Sequence, residues 1–314
     1  MKRAVHLRLF VAGLLYLMAG GLATAQVLPA PGPYHQLLGD VQIHRVERGD
    51  SLSSLGARFG LAPSVLARDN GLKTDAKLKP GTELLIDNRH IVPLRSATII
   101  INIPQRMVFV LQDGEAVAGY PVGLGKPDWQ TPTGPFRVVV KEENPTWDVP
   151  KSIQEEMRRE GKVVKTKVPP GPDNPLGAYW IGLNRPGYGL HGTIAPLTVY
   201  TFSSHGCIRL HNDDIADLFG WVERGTTGQL IYEPVLLARL PDGRVFLEVH
   251  RDVYKKGINL AREAARLIRQ YQLQDQVDWD RVNQAILKKQ GRAVLISPDP
   301  LGPSPIPNAT EAHG

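Results

Sequence analysis

Within twenty-one positions, His191, His205 and His211 flank Cys207, the single cysteine of the chain. A thiol attacks a carbonyl only as thiolate, and a free cysteine holds its proton up to about pH 8.5. A neighbouring imidazole can take that proton. Gly206 removes a side chain beside the sulfur, and a backbone N–H at or near Cys207 could face a developing oxyanion. Acyl transfer needs nothing more. His205 stands two residues before Cys207, so in an extended strand the two share a face with Cβ atoms roughly 6–7 Å apart. His191 stands sixteen residues upstream and reaches the thiol if residues 188–193 run beside the Cys207 segment. Spacing leaves both bases open. It also leaves two other readings: a small buried hydrophobe, or a metal site of His191, His205, Cys207 and His211, which has the four N and S ligands of a structural zinc. Zinc sites more often repeat a two-cysteine spacing, which is absent here.

The surrounding elements must position this segment. From Ala97 onward the pattern is that of strands: residues 98–103 are β-branched apart from Asn102, 107–111 and 116–122 follow around the Asp113-Gly114 turn, and 136–141 form another. Residues 229–232 read as a closing strand, 245–249 as a further one, and 213–219 as a short helix. Six prolines between 142 and 177, with one short charged stretch (152–160) of helical character, mark an inserted loop or lid. Upstream, 43–46 and 84–86 read as short strands. Between them Ser51 caps a helix carrying Leu52, Leu55 and Phe59, and a second helix follows around Val65 and Leu66. Beyond Val235, residues 257–273 and 278–287 carry helical patterns, while 298–314 is proline-rich and expected to be disordered.

The 314 residues hold one to three domains, and 42% hydrophobic residues suffice for a core. A mostly disordered chain and a coiled coil are excluded on composition. Lys2, Arg3 and Arg8 precede an apolar run over 9–22 and an Ala23-Thr24-Ala25 exit, the parts of a secretory signal peptide. The run is shorter than the ~20 residues of a spanning helix. Cleavage after Ala25 takes the net charge from +6 to +3, since it removes three cations. A lone thiol in an exported protein has no intramolecular partner, so it needs a reason to be there. Residues 26–41 read as a linker.

Two resemblances follow. Val46-x-x-Gly49-Asp50-Ser51-Leu52-x-x-Leu55, Phe59-Gly60, Asn70, Leu78-x-x-Gly81 and Leu84-x-Ile86 resemble a LysM module, here residues 42–90. That family binds glycans containing N-acetylglucosamine, such as peptidoglycan. Gly56 departs from the small helix former that many members carry. His191-Gly192-Thr193, Ser204-His205-Gly206-Cys207-Ile208-Arg209-Leu210 and Asp214 resemble the YkuD-type L,D-transpeptidase catalytic domain, here residues 96–235. Thr131-Pro132-x-Gly134, Asn144-Pro145-Thr146-Trp147 and Gly171-Pro172-Asp173-Asn174-Pro175-Leu176-Gly177 add to it, and the pairing with LysM is similar to the periplasmic ErfK/YbiS group. The resemblance implies a mainly β catalytic domain, a YkuD-like β-sandwich with short helices, beside a βααβ LysM domain and a C-terminal helical segment over 236–297. It implies Cys207 as nucleophile and His191 as proton acceptor and donor, with His205 auxiliary and Gly206, Ser204 and Arg209 as substrate-binding candidates. It implies a thioester with the tetrapeptide stem of peptidoglycan, release of D-Ala, and transfer to an amine of a second stem or of an outer-membrane lipoprotein. Water as acceptor gives an L,D-carboxypeptidase, and a protein that only binds the wall is the non-enzymatic alternative. No metal, cofactor or nucleic acid is implied, and the expected location is the periplasm.

Overall fold

The computed structural model describes residues 33–298. The expected signal peptide and residues 299–314 of the expected disordered tail lie outside the described residues. Among the described residues, no helix is long and apolar enough to cross a membrane.

The LysM region folds as its residues dictate. The strands Val41–Arg45 and Glu83–Asp87 pair antiparallel around two helices, α1 (Leu52–Phe59) and α2 (Pro63–Asp69). Ser51 and Ser54 form a reciprocal capping box at the start of α1, which satisfies N–H groups the helix cannot pair internally. Pro63, at the first helical position, gives up only an N–H that would have no partner. Leu52, Leu55, Leu61, Leu66, Leu84 and Ile86 fill the core. Gly56, the departure from the LysM pattern, has a packing cause: a Cβ there would lie 2.6 Å from the Leu61 carbonyl oxygen.

The catalytic region is built on one eight-stranded mixed sheet. Its order is Ile208–Arg209, Gly189–His191, Tyr179–Leu183, Gly134–Glu143, Thr227–Ile231, Ile99–Asn102, Met107–Gln112, Glu115–Pro121. Two pairings are parallel: Ile208–Arg209 with Gly189–His191, and Thr227–Ile231 with Ile99–Asn102. The strand Ile99–Asn102 is buried on both faces, which accounts for its run of three isoleucines, Ile99 to Ile101. Helix α4 (Asn212–Trp221) seats Ile215 and Leu218 in the main core directly after the Cys207 segment. In the insert, helix α3 (Lys151–Arg159) buries no residue, and buried Asn174 ties the loop by donating to the Pro145 carbonyl at 2.7 Å.

Two expectations change. Residues 33–41, read as linker, are packed: Tyr34 N–H donates to Leu237 O at 3.0 Å, and Leu37–Leu38 pairs with His90–Ile91. Proline content suggested a loose segment, but edge pairing recruits it. After Val235 the expected strand 245–249 is present, but it does not stand alone beside the helices. Val235–Arg239, Val245–Val249 and Ala293–Leu295 form an antiparallel sheet, with α5 (Leu260–Gln270) and α6 (Trp279–Lys288) packed on one face. Ile91, with Tyr34 and Leu37, packs on its other face.

A buried polar cluster joins these pieces. Glu248, fully buried, accepts from His90 Nδ1 at 2.8 Å, His250 Nε2 at 2.7 Å, Gln105 Nε2 at 3.0 Å and Ile91 N–H at 2.6 Å. His90 Nε2 lies 3.1 Å from the carbonyl of Gly60, the α1 cap. Arg58 on α1 also reaches Asp213 (2.9 Å) and Asp214 (3.2 Å) at the start of α4.

Candidate active site

Cys207 follows the sharp turn Ser204-His205-Gly206. Gly206 adopts φ +106°, and a Cβ there would lie 2.7 Å from Tyr188 Cε1, so both backbone and space require glycine. The bend removes the strand alternation that would have set His205 and Cys207 on one face. His205 turns away instead. Its Nε2 lies 2.9 Å from Glu156 Oε2 on α3, and its ring meets the Trp129 ring edge-on at 4.8 Å. His205 therefore joins the insert to the site rather than the thiol to a base.

His191 arrives by the sheet. The strand that runs beside it lies after Cys207, not before it: Leu190 pairs with Ile208 and His191 with Arg209. Leu190 and Ile208 enter the core. Side chains alternate, so His191, Arg209 and Cys207 share the opposite face. Cys207 sits two residues, about 6.6 Å, along a strand spaced about 4.8 Å away, which separates its Cα from that of His191 by roughly 8 Å. His191 Nδ1 lies 2.6 Å from the Gly192 carbonyl oxygen, which can only accept. Nδ1 thus carries the proton and Nε2 a free lone pair. Trp180 stacks on the ring at 5.8 Å. Burial pushes His191 down to about 4, so it is neutral at pH 7.

The thiol is recessed and partly exposed. Sγ donates to Gly187 O at 3.3 Å. Burial raises its pKa above the ordinary 9.0, against the lowering pull of the Gly189 backbone hydrogen bond and the Arg209 charge. The resting site is thus a neutral thiol beside a neutral imidazole, and no hydrogen bond joins the two in this conformation. Arg209 has its backbone held by Gly123 in two hydrogen bonds (2.8 and 2.9 Å). Its half-buried guanidinium has no carboxylate partner among the described residues.

The expected substrate contacts divide. Gly206 and Arg209 border the thiol. Ser204 is 1% exposed, and its Oγ is committed, accepting from Gly206 N–H at 3.1 Å and donating to Cys207 O at 2.6 Å. Both hydrogen bonds lie within the turn and shape it. The four candidate metal ligands do not converge: His191 bonds to Gly192 O, His205 to Glu156, and His211 Nε2 lies 3.2 Å from Ala57 O. Sequence reasoning missed Trp180, Glu156 and Asn212. Asn212 Oδ1 accepts from Thr193 N–H at 2.9 Å and so braces the His191-Gly192-Thr193 turn. None of these three carries a local signal, because each acts through a contact distant in sequence.

The chain as a whole is similar to known proteins. A family model of the L,D-transpeptidase catalytic domain (YkuD) matches residues 96–236, and one of the LysM domain matches 44–87. The chain is 31% identical over 295 residues to the probable L,D-transpeptidase ErfK/SrfK of Escherichia coli (strain K12), covering 90% of this chain and 94% of that protein. It is 32% identical over 247 residues to the probable L,D-transpeptidase YbiS of the same organism, covering 77% and 80%. It is 28% identical over 186 residues to the putative L,D-transpeptidase YkuD of Bacillus subtilis (strain 168), covering 58% and 94%. With a relative this similar matched along nearly its whole length, and with both domain models in place, this chain belongs to the L,D-transpeptidase family.

Proposed function

We propose that this protein is a periplasmic L,D-transpeptidase that acylates Cys207 with the tetrapeptide stem of peptidoglycan and passes the acyl group to an amine. The observation that carries the reading is the parallel register of Gly189–His191 with Ile208–Arg209, which sets a neutral imidazole with a free Nε2 on the face that bears the thiol. Rotation of Cys207 about Cα–Cβ moves Sγ from Gly187 O toward that lone pair.

In the first half-reaction Sγ bonds to the carbonyl carbon of diaminopimelate as its proton passes to His191 Nε2. The carbonyl oxygen becomes an oxyanion. The Cys207 N–H, which meets no acceptor among the described residues, is the donor placed to receive it. Collapse breaks the C–N bond to D-Ala, whose amine leaves with the proton from His191, and a thioester remains. In the second half an amine attacks the thioester, His191 takes the amine proton, and the thiol leaves and regains it. Arg209 supplies an unpaired cation for a substrate carboxylate. The LysM module supports retention on glycan strands. The acceptor amine belongs to a second stem or to an outer-membrane lipoprotein.

The test is intact-mass spectrometry of protein exposed to a carbapenem, with muropeptide profiles of cells with and without the gene. An adduct on the wild type and none on Cys207→Ala is expected, with 3→3 dimers or lipoprotein-linked fragments lost from cells lacking the protein. The same adduct on the variant would refute Cys207 as nucleophile.

A further inference from the structure

The unit that follows the catalytic domain reaches into the nucleophile turn. Between the strand Val245–Val249 and α5, the chain crosses back to the catalytic core, and Tyr254 is 4% exposed within it. Asp252 holds this crossing, accepting from Tyr232 Oη at 2.6 Å, Lys256 N–H at 2.9 Å and Ile258 N–H at 3.1 Å. Tyr232 Oη in turn accepts from Tyr254 N–H at 2.9 Å, and the two rings stack at 5.7 Å. The Tyr254 ring is thereby fixed before its hydroxyl makes any contact.

That hydroxyl donates to Gly125 O at 2.7 Å and accepts from Thr131 N–H at 3.2 Å. Thr131 is 2% exposed. Its Oγ1 accepts from Gly125 N–H at 3.0 Å and donates to Gly206 O at 2.9 Å. The Gly206 carbonyl and the Cys207 N–H belong to one planar trans peptide and point in opposite directions. Holding the carbonyl inward on Thr131 therefore aims the Cys207 N–H outward, to the side where the thiol is partly exposed.

We infer that Tyr254, through Thr131, is a positioning residue that sets the Gly206–Cys207 peptide so that the Cys207 N–H can serve as the oxyanion donor. This makes the C-terminal unit part of the working active site, although Tyr254 lies beyond the residues that the catalytic-domain model matches. The inference rests on Cys207 being the nucleophile.

The test separates two reactions of the same sulfur. Carbapenem acylation develops an oxyanion; alkylation by iodoacetamide does not. Tyr254→Phe keeps the ring and removes the hydroxyl. Loss of an oxyanion donor costs about 10²–10³-fold in rate, so misaiming one is expected to cost about 10–100-fold in acylation. Alkylation at the same pH should stay within about twofold. Thr131→Val should reproduce the split, and Thr131→Ser, which keeps Oγ, should restore acylation. Wild-type acylation in Tyr254→Phe and Thr131→Val overturns the inference. So does a parallel fall of acylation and alkylation, which reports a damaged fold. A wild-type protein that alkylates at Cys207 but is never acylated refutes the nucleophile assignment itself.

Discussion

Replacing His191 with alanine tests whether the proton leaves the thiol before or during attack. Burial holds the thiol above 9.0 and His191 down at about 4. At pH 7 a thiol of pKa 9 or above is at most about 1% ionised, from the two-unit gap. A preformed thiolate is therefore scarce, and a working His191 must take the proton as the S–C bond forms. The sign is fixed by which form acts: neutral imidazole is the base, and it is lost only as pH falls toward 4. Wild-type acylation by a carbapenem should then vary little between about pH 5.5 and 8. His191→Ala leaves only the rare thiolate. Its rate at pH 7 should fall about 10²–10⁴-fold, the usual worth of a general base. It should climb about tenfold per pH unit until the thiol titrates. Stopped-flow acylation across that range reads both. A wild-type rate that itself climbs tenfold per unit would refute concerted proton removal. An unchanged His191→Ala rate would shift the role to His205, whose Nε2 faces Glu156.

Two further outcomes follow from the packing. Gly206→Ala puts a Cβ 2.7 Å from Tyr188 at φ +106°, a strain of about 1–3 kcal/mol, so thermal unfolding should come earlier and acylation should slow at least about tenfold; a neutral result would show that the turn is not rigid. Glu248→Ala leaves His90, His250, Gln105 and the Ile91 N–H facing an apolar gap, a loss of about 3–5 kcal/mol measured by denaturant unfolding. The same cluster makes the wild type acid-sensitive. Burial depresses His250, while Glu248, despite its burial, is held below its ordinary value by His90 and His250. Both groups bind fewer protons folded than unfolded, so stability is full above about pH 6.5, begins to fall below it, and falls faster below about 4.5. A melting temperature that is flat from pH 7 to 4 contradicts this.

The Cys207 turn and the LysM helices were legible because their signals are local. A cysteine after Ser-His-Gly, a Ser51 cap and a Gly60 stop depend on neighbours within four residues. The double-buried strand Ile99–Asn102 was legible for a related reason: burial on both faces writes an apolar run, here Ile99 to Ile101. Residues 33–41 misled because prolines describe the backbone's preferences and not the edge that will recruit it. The C-terminal strand Val235–Arg239 escaped because Leu236, Leu237 and Ala238 favour helix as readily as strand, and so short an apolar run does not separate the two.

Residue types alone determined that this chain carries a single thiol, a glycine beside it and three imidazoles near it in sequence, since those properties belong to single side chains and their immediate neighbours. Where each imidazole lies was decided only by the fold. A turn at Gly206 swings His205 to Glu156, and a parallel pairing across sixteen residues brings His191 to the thiol's face. Proton affinity likewise came from tertiary structure, because desolvation depends on what covers a group and not on what precedes it in the chain.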